Sequence, residues 1–322
     1  MLCIDSQNCN PYYNLAAEEI FLKQSDEDFF MVWESEPSVI IGKHQNTLSE
    51  INYRFISDNK VKVARRLTGG GTVYHDRGNI NFSFIRNGEP GRLVDFHSFI
   101  EPVLLFLASH GVDSVQGPKH EIIACNGKIS GNAEHVYKNR VLHHGTLLFD
   151  TDLEMLRRSI VHIGGTFTGK AVQSNRSHVI NMVQCLPQIM DISEFRSALF
   201  NYVKSFFNGK VHEPDVMVKA QIQRLADEKY RSWEWIYGWS PDYSFKNEWK
   251  NDRFTIYIGL EVHKGMIENC SLECTELSLY AAAGLIKGNR HDEKNIRKSL
   301  EEAGLVAKMN LNDFESLVFS FL

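Results

Sequence analysis

The chain has 322 residues, with 35 basic and 40 acidic side chains and a net charge of −5, a balance that offers no polyanion-binding surface and excludes nucleic acid as an expected partner. Hydrophobic residues make up 43% and charged residues 23%, which is ordinary globular composition. Apolar runs such as Phe29–Trp33 and Val103–Ala108 fall far short of the roughly 20 residues that span a bilayer, so no membrane segment is expected.

The first strand-like run is Leu2–Ile4, and Asn10-Pro11 then opens a helix whose one-sided pattern continues through Leu15, Ala16, Glu19, Ile20 and Lys23. This start leaves no room for a signal or transit peptide, and the expectation is a soluble, cytoplasmic protein. Short runs rich in β-branched and aromatic residues follow as strands: Phe29–Trp33, Val39–Ile41, Val61–Ala64, Thr72–Tyr74 and Ile80–Ile85. Phe96, Phe99, Ile100, Val103, Leu104 and Leu107 keep helical spacing between an Asp95 cap and a Gly111 stop. Glu121–Cys125, Lys128–Tyr137 and Val141–Phe149 then read as an antiparallel meander, with Asn126-Gly127 as its first turn. Helices are expected over Leu153–Ile160, Ile192–Phe207 and Asp215–Tyr230.

The polar, turn-prone stretch Pro241–Asp252 marks a boundary. Beyond it a hairpin around Lys264-Gly265 and helices at Glu276–Ile286, Glu293–Ala303 and Asp313–Phe321 make a small α/β unit. Strands mixed with separated helices, without βαβ alternation, predict an α+β fold with a mixed or antiparallel sheet. The domains expected are 1–246 and 247–322.

Four segments carry chemistry. Arg65 to Asp76 holds two arginines and the triplet Gly69, Gly70, Gly71; it reads either as a cradle for a carboxylate or phosphate or as a flexible hairpin tip. Gly164 to Ala171 nearly spells a P-loop, but Ala171 replaces the hydroxyl residue that holds magnesium, which leaves a mobile phosphate-handling loop as the remaining option. Lys128 is flanked by Gly127 and Gly131 in a strand context that keeps its ammonium accessible. His143 and His144 are neighbours on a strand and point to opposite faces, so only one enters any site. The 13 histidines show no zinc spacing, and the six cysteines, without CxxC pairs, read as small hydrophobes or inert thiols.

In order along the chain, Trp33, Gly42 to Asn46, Arg65 to Asp76, Gly127 to Ala133, His144 to Leu148, Ser174 to Met182 and Ser232 to Trp235 resemble the lipoate-protein ligase family. The resemblance implies a catalytic domain of the kind shared with biotin protein ligases and a C-terminal accessory domain. It also implies ATP-dependent activation of lipoic acid to lipoyl-AMP, with Mg2+, and transfer to an acceptor lysine. The acceptors implied are lipoyl domains of 2-oxoacid dehydrogenase complexes or the glycine-cleavage H protein, served by a monomer.

Carried over by motif, Trp33, Arg66, Gly69, Gly70, Gly71, His75 and His144 bind lipoate. Gly71, Thr72, Val73, Asn79, Lys128, Asn132, Gly145, Thr146, Ser174 and Arg176 bind ATP or the adenylate, Lys128 is the catalytic group, and Gly169 to Met182 closes over the adenylate. Metal ligands are not assigned beyond Glu121 as a weak candidate. Pro118-Lys119-His120-Glu121 stands where bacterial ligases carry Gly-Arg-Asn-Asp. That departure motivates one alternative, a lipoyltransferase using preformed lipoyl-AMP; a second, from the same superfamily, is an octanoyltransferase working through a cysteine, with Cys125 near Lys128 as its candidate.

Overall fold

The computed structural model describes residues 1–89, 91–174 and 177–322. The chain forms two compact units, one from Met1–Lys43, Val61–Arg157 and Ser174–Ser232, the other from His44–Lys60, Arg158–Gln173 and Trp233–Leu322. No helix of the described residues is long and apolar enough to cross a membrane.

The first unit is built on a six-stranded sheet in the order Asn132–Tyr137, Arg140–Leu148, Asn79–Asn87, Phe29–Trp33, Leu2–Ser6, Lys210–Val211. The sheet is mixed: Leu2–Ser6 runs parallel to both neighbours and the other pairs are antiparallel. Alternation along Asn79–Asn87 divides its two faces. Phe82 and Phe84 enter a core with Phe99, Val103 and Phe106 of helix Phe96–Ser109 and Phe195 and Leu199 of helix Ile192–Phe206. Ser83, between them, faces the opposite way and bonds Glu18 of helix Pro11–Gln24. That helix starts where expected, with the Asn10 side chain accepting from the Tyr12 N–H.

Two three-stranded sheets complete the unit. One pairs Ser38–Ile41 with Lys62–Arg65 and Val73–His75, and holds both ends of the glycine triplet. The other joins Ser114–Gln116, Ile122–Ala124 and Gly127–Ser130. The strand expected over Lys128–Tyr137 is therefore two strands in different sheets, broken at Gly131. Thr146 causes the break: its hydroxyl accepts from the Gly131 N–H at 3.1 Å, and its own N–H donates to the Gly131 carbonyl at 3.1 Å.

The hairpin before Lys128 is also displaced by one residue from the expected turn. Ala124 pairs with Gly127, and Cys125 (φ 48°) and Asn126 (φ 64°) form the two-residue loop, both left-handed as in a type I′ turn. Cys125 and Cys185 are joined as a disulfide, with their Cα atoms 6.0 Å apart. The expectation of six inert thiols is corrected to four free cysteines, Cys3, Cys9, Cys270 and Cys274.

The second unit is a four-stranded antiparallel sheet, Thr166–Gly169, Tyr243–Lys250, Thr255–His263, Met266–Glu273. Its inner face packs with helices Tyr280–Ile286, Glu293–Glu302 and Leu311–Phe319 around Phe245, Ile258, Ile296 and Phe314. The stretch expected to be turn-prone is a strand, because Tyr243, Phe245 and Trp249 alternate inward while Lys246, Glu248 and Lys250 face solvent. Position 246/247 thus falls inside a paired strand, and the unit also takes residues from the first half of the chain. The near P-loop is likewise sheet: Thr166–Gly169 pairs with Tyr243–Lys246, which corrects the expectation of a mobile phosphate loop.

Candidate active site

The glycine triplet is held from below by Arg66, which is 5% exposed. Its Nε donates to Thr68 Oγ1 at 2.9 Å, Nη1 to the Ile40 carbonyl at 3.0 Å, and Nη2 to the carbonyls of Gly69 (2.6 Å) and Gly71 (2.7 Å). Four of a guanidinium's five donors are thus used within the fold. Arg66 shapes the cradle more than it presents a fork to a ligand. Burial draws its pKa down to about 10, against the nearby charge of Glu18.

Gly70 takes φ +85°, a region that glycine enters without penalty. Gly69 has open space where a side chain would stand. Gly71 lies against Ser174, whose Oγ accepts from the Thr72 N–H at 2.9 Å. Ser174 therefore closes the loop from one side. Val73 begins the strand Val73–His75 that carries the chain out of the triplet.

A hydrogen-bond chain runs on from this loop. Thr68 Oγ1 bonds His144 Nε2 at 2.7 Å, and His144 Nδ1 lies 3.1 Å from both oxygens of Glu18. Ser83 donates to Glu18 Oε1 at 2.5 Å, and Trp33 Nε1 donates to Ser83 at 3.3 Å. Trp33, Arg66 and His144 are thus linked through Ser83, Glu18 and Thr68. His75 packs edge-on to Trp33 with ring centroids 5.6 Å apart, and both its nitrogens are buried without a partner among the described residues. Burial, then the charges of Arg66 and His144, pull its pKa down to about 3, so His75 is neutral.

Lys128 sits on Gly127–Ser130. Its N–H donates to His178 and its carbonyl accepts from Ile180, so residues 178–180 run beside it. A Cβ on Gly131 would lie 3.3 Å from Nζ, and one on Gly127 would meet Ile180 at 2.6 Å. Both glycines keep the lysine's surroundings close and narrow. Burial holds the Lys128 ammonium below the ordinary lysine pKa, opposed by Glu121 and reinforced by Arg66 and Lys119. A half-buried cation therefore stands within electrostatic reach of Arg66, Lys119 and Glu121.

The turn Gly117 to Glu121 carries the substituted segment. The Lys119 N–H donates to Glu121 Oε2 at 2.7 Å, and the Gly117 N–H to the Glu121 carbonyl at 2.8 Å. No cluster of three His, Cys, Asp or Glu able to hold a metal occurs among the described residues. Glu121 offers one carboxylate, which fits a cation carried mainly by phosphate oxygens and water.

The remaining expected contacts divide. Asn79 donates to Asn81 at 3.0 Å and opens the strand Asn79–Asn87. Thr146 holds Gly131, and Gly145 leaves room for Asn132: an added Cβ would lie 2.2 Å from Asn132 Oδ1 and 2.3 Å from the Phe82 ring. Asn132 itself donates to the His120 carbonyl at 2.8 Å and to Ser130 at 3.2 Å. These residues support the site from within the fold. Arg176 lies outside the described residues. Glu18, Thr68 and Ser83 were missed, although Glu18, an acid among apolar residues of a helix, carried the signal of a buried, paired charge.

Residues 10–204 match the family model of the lipoyl protein ligase A/B catalytic domain. The chain is 38% identical over 281 residues to lipoate-protein ligase LplJ of Bacillus subtilis, covering 84% of each chain. It is similar to the solved structure of a lipoate-protein ligase A bound with ATP, at 28% identity and TM-score 0.61 over 74% of this chain and 98% of that one. It is also similar to a bi-partite lipoate protein ligase from Thermoplasma acidophilum, studied with its E2 lipoyl domain, at 25% identity and TM-score 0.61 over 74% of this chain and 96% of that one. With the family model matched over more than half of its length and a relative this similar over most of it, the chain belongs to the lipoate-protein ligase family.

Proposed function

We propose that the chain activates lipoate with ATP and transfers the lipoyl group to a lysine of a lipoyl domain, with Lys128 as the central electrostatic group. The observation that carries this reading is a half-buried lysine within electrostatic reach of Arg66, whose guanidinium holds the glycine loop. In the first step the lipoate carboxylate attacks the α-phosphorus of ATP and pyrophosphate leaves. Two anions must approach, so a fixed cation where charge develops lowers the barrier. In the second step the acceptor amine attacks the acyl carbon, AMP leaves, and the amine gives up a proton.

Trp33 and neutral His75 suit the apolar tail of lipoate, and His144 the polar edge of the same wall. The main-chain amides around Gly69 to Thr72 suit the adenylate phosphate, with Ser174 closing them, and Arg176 belongs to the same group by motif. The backbone bonds of residues 178–180 along Lys128 support a role for this segment in covering the adenylate and keeping water from the mixed anhydride. Glu121 is the carboxylate that would help hold Mg2+, which would offset the charge on the leaving pyrophosphate. The second unit serves as the accessory part, and the enzyme works as a cytoplasmic monomer on lipoyl domains of 2-oxoacid dehydrogenases or the glycine-cleavage H protein.

Lipoate-dependent exchange of labelled pyrophosphate into ATP tests the activation step. Exchange together with lipoylation of an acceptor domain is the expected result. Transfer from synthetic lipoyl-AMP without exchange would instead establish the lipoyltransferase reading that the Pro118–Glu121 segment motivates. Cys125→Ser retaining full activity would remove the octanoyltransferase reading.

A further inference from the structure

Behind the site lies a buried pair of titratable groups that the reaction above does not use. Glu134 and His143 face each other across neighbouring strands, with Oε1 and Nδ1 3.0 Å apart. His143 is fully buried, stacked on Phe99 at 5.0 Å and bordered by Phe82, Phe84 and Phe96. Its Nε2 lies 3.3 Å from Asn132 Oδ1, and Asn132 Nδ2 donates to the His120 carbonyl at 2.8 Å. Four groups thus form one chain, ending on the turn that carries Lys119 and Glu121 beside Lys128.

The direction of this chain follows from its last member. A carbonyl only accepts, so Asn132 must turn its amide nitrogen to His120 and its oxygen to His143. His143 Nε2 must then carry a hydrogen. A neutral imidazole with its hydrogen on Nε2 leaves Nδ1 as an acceptor, and the partner there must be a protonated Glu134. The same bonds form if the proton sits on His143, but an imidazolium among four phenyl rings is disfavoured by burial. Remove the proton altogether, and Nδ1–H donates to the carboxylate while a bare Nε2 confronts the Asn132 oxygen.

We propose that Glu134 and His143 together hold a proton that positions Asn132 on the His120 carbonyl, fixing the Gly117 to Glu121 turn for ATP, and that loss of this proton releases the turn. Both are positioning residues, and the proposal rests on the reading of this site as ATP-binding. Burial independently raises the Glu134 carboxyl to about 7, helped by the charge of Asp95 and opposed by the Asp95 main-chain N–H. Burial holds His143 well below the ordinary histidine range, aided by His144 and His120. Gly145 gives a second indication: only a residue without a side chain admits Asn132 at this position.

The test is equilibrium binding of ATP to the full chain at pH 6 and pH 8, with infrared titration of the carboxylic-acid band. Wild type should bind ATP roughly five-fold more weakly at pH 8, the loss expected for one buried hydrogen bond, as the Glu134 band disappears. Glu134→Gln, whose amide donates to Nδ1 at every pH, should lack both that band and the alkaline weakening. Asn132→Ala should bind at pH 6 as weakly as wild type does at pH 8. Wild-type binding unchanged with pH, or alkaline weakening undiminished in Glu134→Gln, overturns the proposal. Absence of ATP binding at either pH overturns the ATP reading itself, while the band still reports the protonation of Glu134.

Discussion

Lys128 is the residue on which the proposed chemistry turns, and its surroundings suit an electrostatic task. A nucleophilic lysine would trap the acyl group on the enzyme, whereas a cation between Glu121 and Arg66 is suited to bridging carboxyl and phosphate oxygens. Lys128→Ala should lower pyrophosphate exchange by roughly 10²-fold or more, as when one preorganised oxyanion donor is removed. Unchanged exchange would refute the assignment. Arg66 spends four of its five donors inside the fold. Its bonds to Gly69 and Gly71 make it the frame of the cradle, so Arg66→Lys, which lacks the planar fork, should raise KM for ATP and lipoate together. Gly145 matters through what it excludes. Gly145→Ala should destabilise the first unit by about 1–3 kcal/mol, the usual cost of overpacking, read as a lower Tm.

At the level of elements, the split of the strand through Lys128 has a distant origin. The strand through Lys128 breaks at Gly131 because a distant hydroxyl, Thr146, captures the Gly131 amide. No local signal announces this. The break places Lys128 in a small sheet of its own, against residues 178–180, while Asn132 onward joins the central sheet. The hairpin tip Cys125–Asn126 and the 3₁₀ turn Met182–Cys185 are tied by the disulfide. Thiol labelling of the oxidised, unfolded chain should count four cysteines, and of the reduced chain six; six in both would show that the bond does not form in solution.

For the molecule as a whole, buried histidines contribute to the loss of stability in acid. His75 in the first unit and His291 in the second have pKa values of about 3 and about 4, below the unperturbed 6.5, chiefly through burial. Their native forms are neutral, so the stability they contribute is present above pH 6.5 and is lost as pH falls toward 3 to 4. His291 bonds Tyr243 at 2.8 Å and the Phe321 carbonyl, which ties the sheet of the second unit to its last helix. Its shift corresponds to roughly 3 kcal/mol at most. Denaturant unfolding followed between pH 7 and pH 4 should show this loss in wild type and a shallower slope in His291→Asn; parallel slopes would remove His291 from the account. Glu134 acts in the opposite sense: its raised pKa gives stability that is present below pH 4.5 and lost as pH rises through 7.

The sequence by itself determined the elements and the identity of the chemistry. Hydrophobic period placed Pro11–Gln24, Phe29–Trp33 and Phe96–Ser109 within a residue or two, because their apolar faces meet a core whatever the topology. The glycine triplet and Lys128 stand out as candidates in the sequence because close backbone approach and a fixed cation require those residue types. Tertiary structure alone decided how they act. Whether Asn132 meets a nucleotide or the His120 carbonyl depends on a register, Asn132 opposite Gly145, that no local pattern encodes. Tyr243–Lys250 looked turn-prone because its outward residues are polar, and only pairing with Thr255–His263 and Thr166–Gly169 made it a strand. Glu18 and Glu134 gained their roles from partners 126 and 9 residues away in sequence. Sequence proximity conveys the second poorly and the first not at all, since side-chain bonds across a sheet follow register and burial, not chain order.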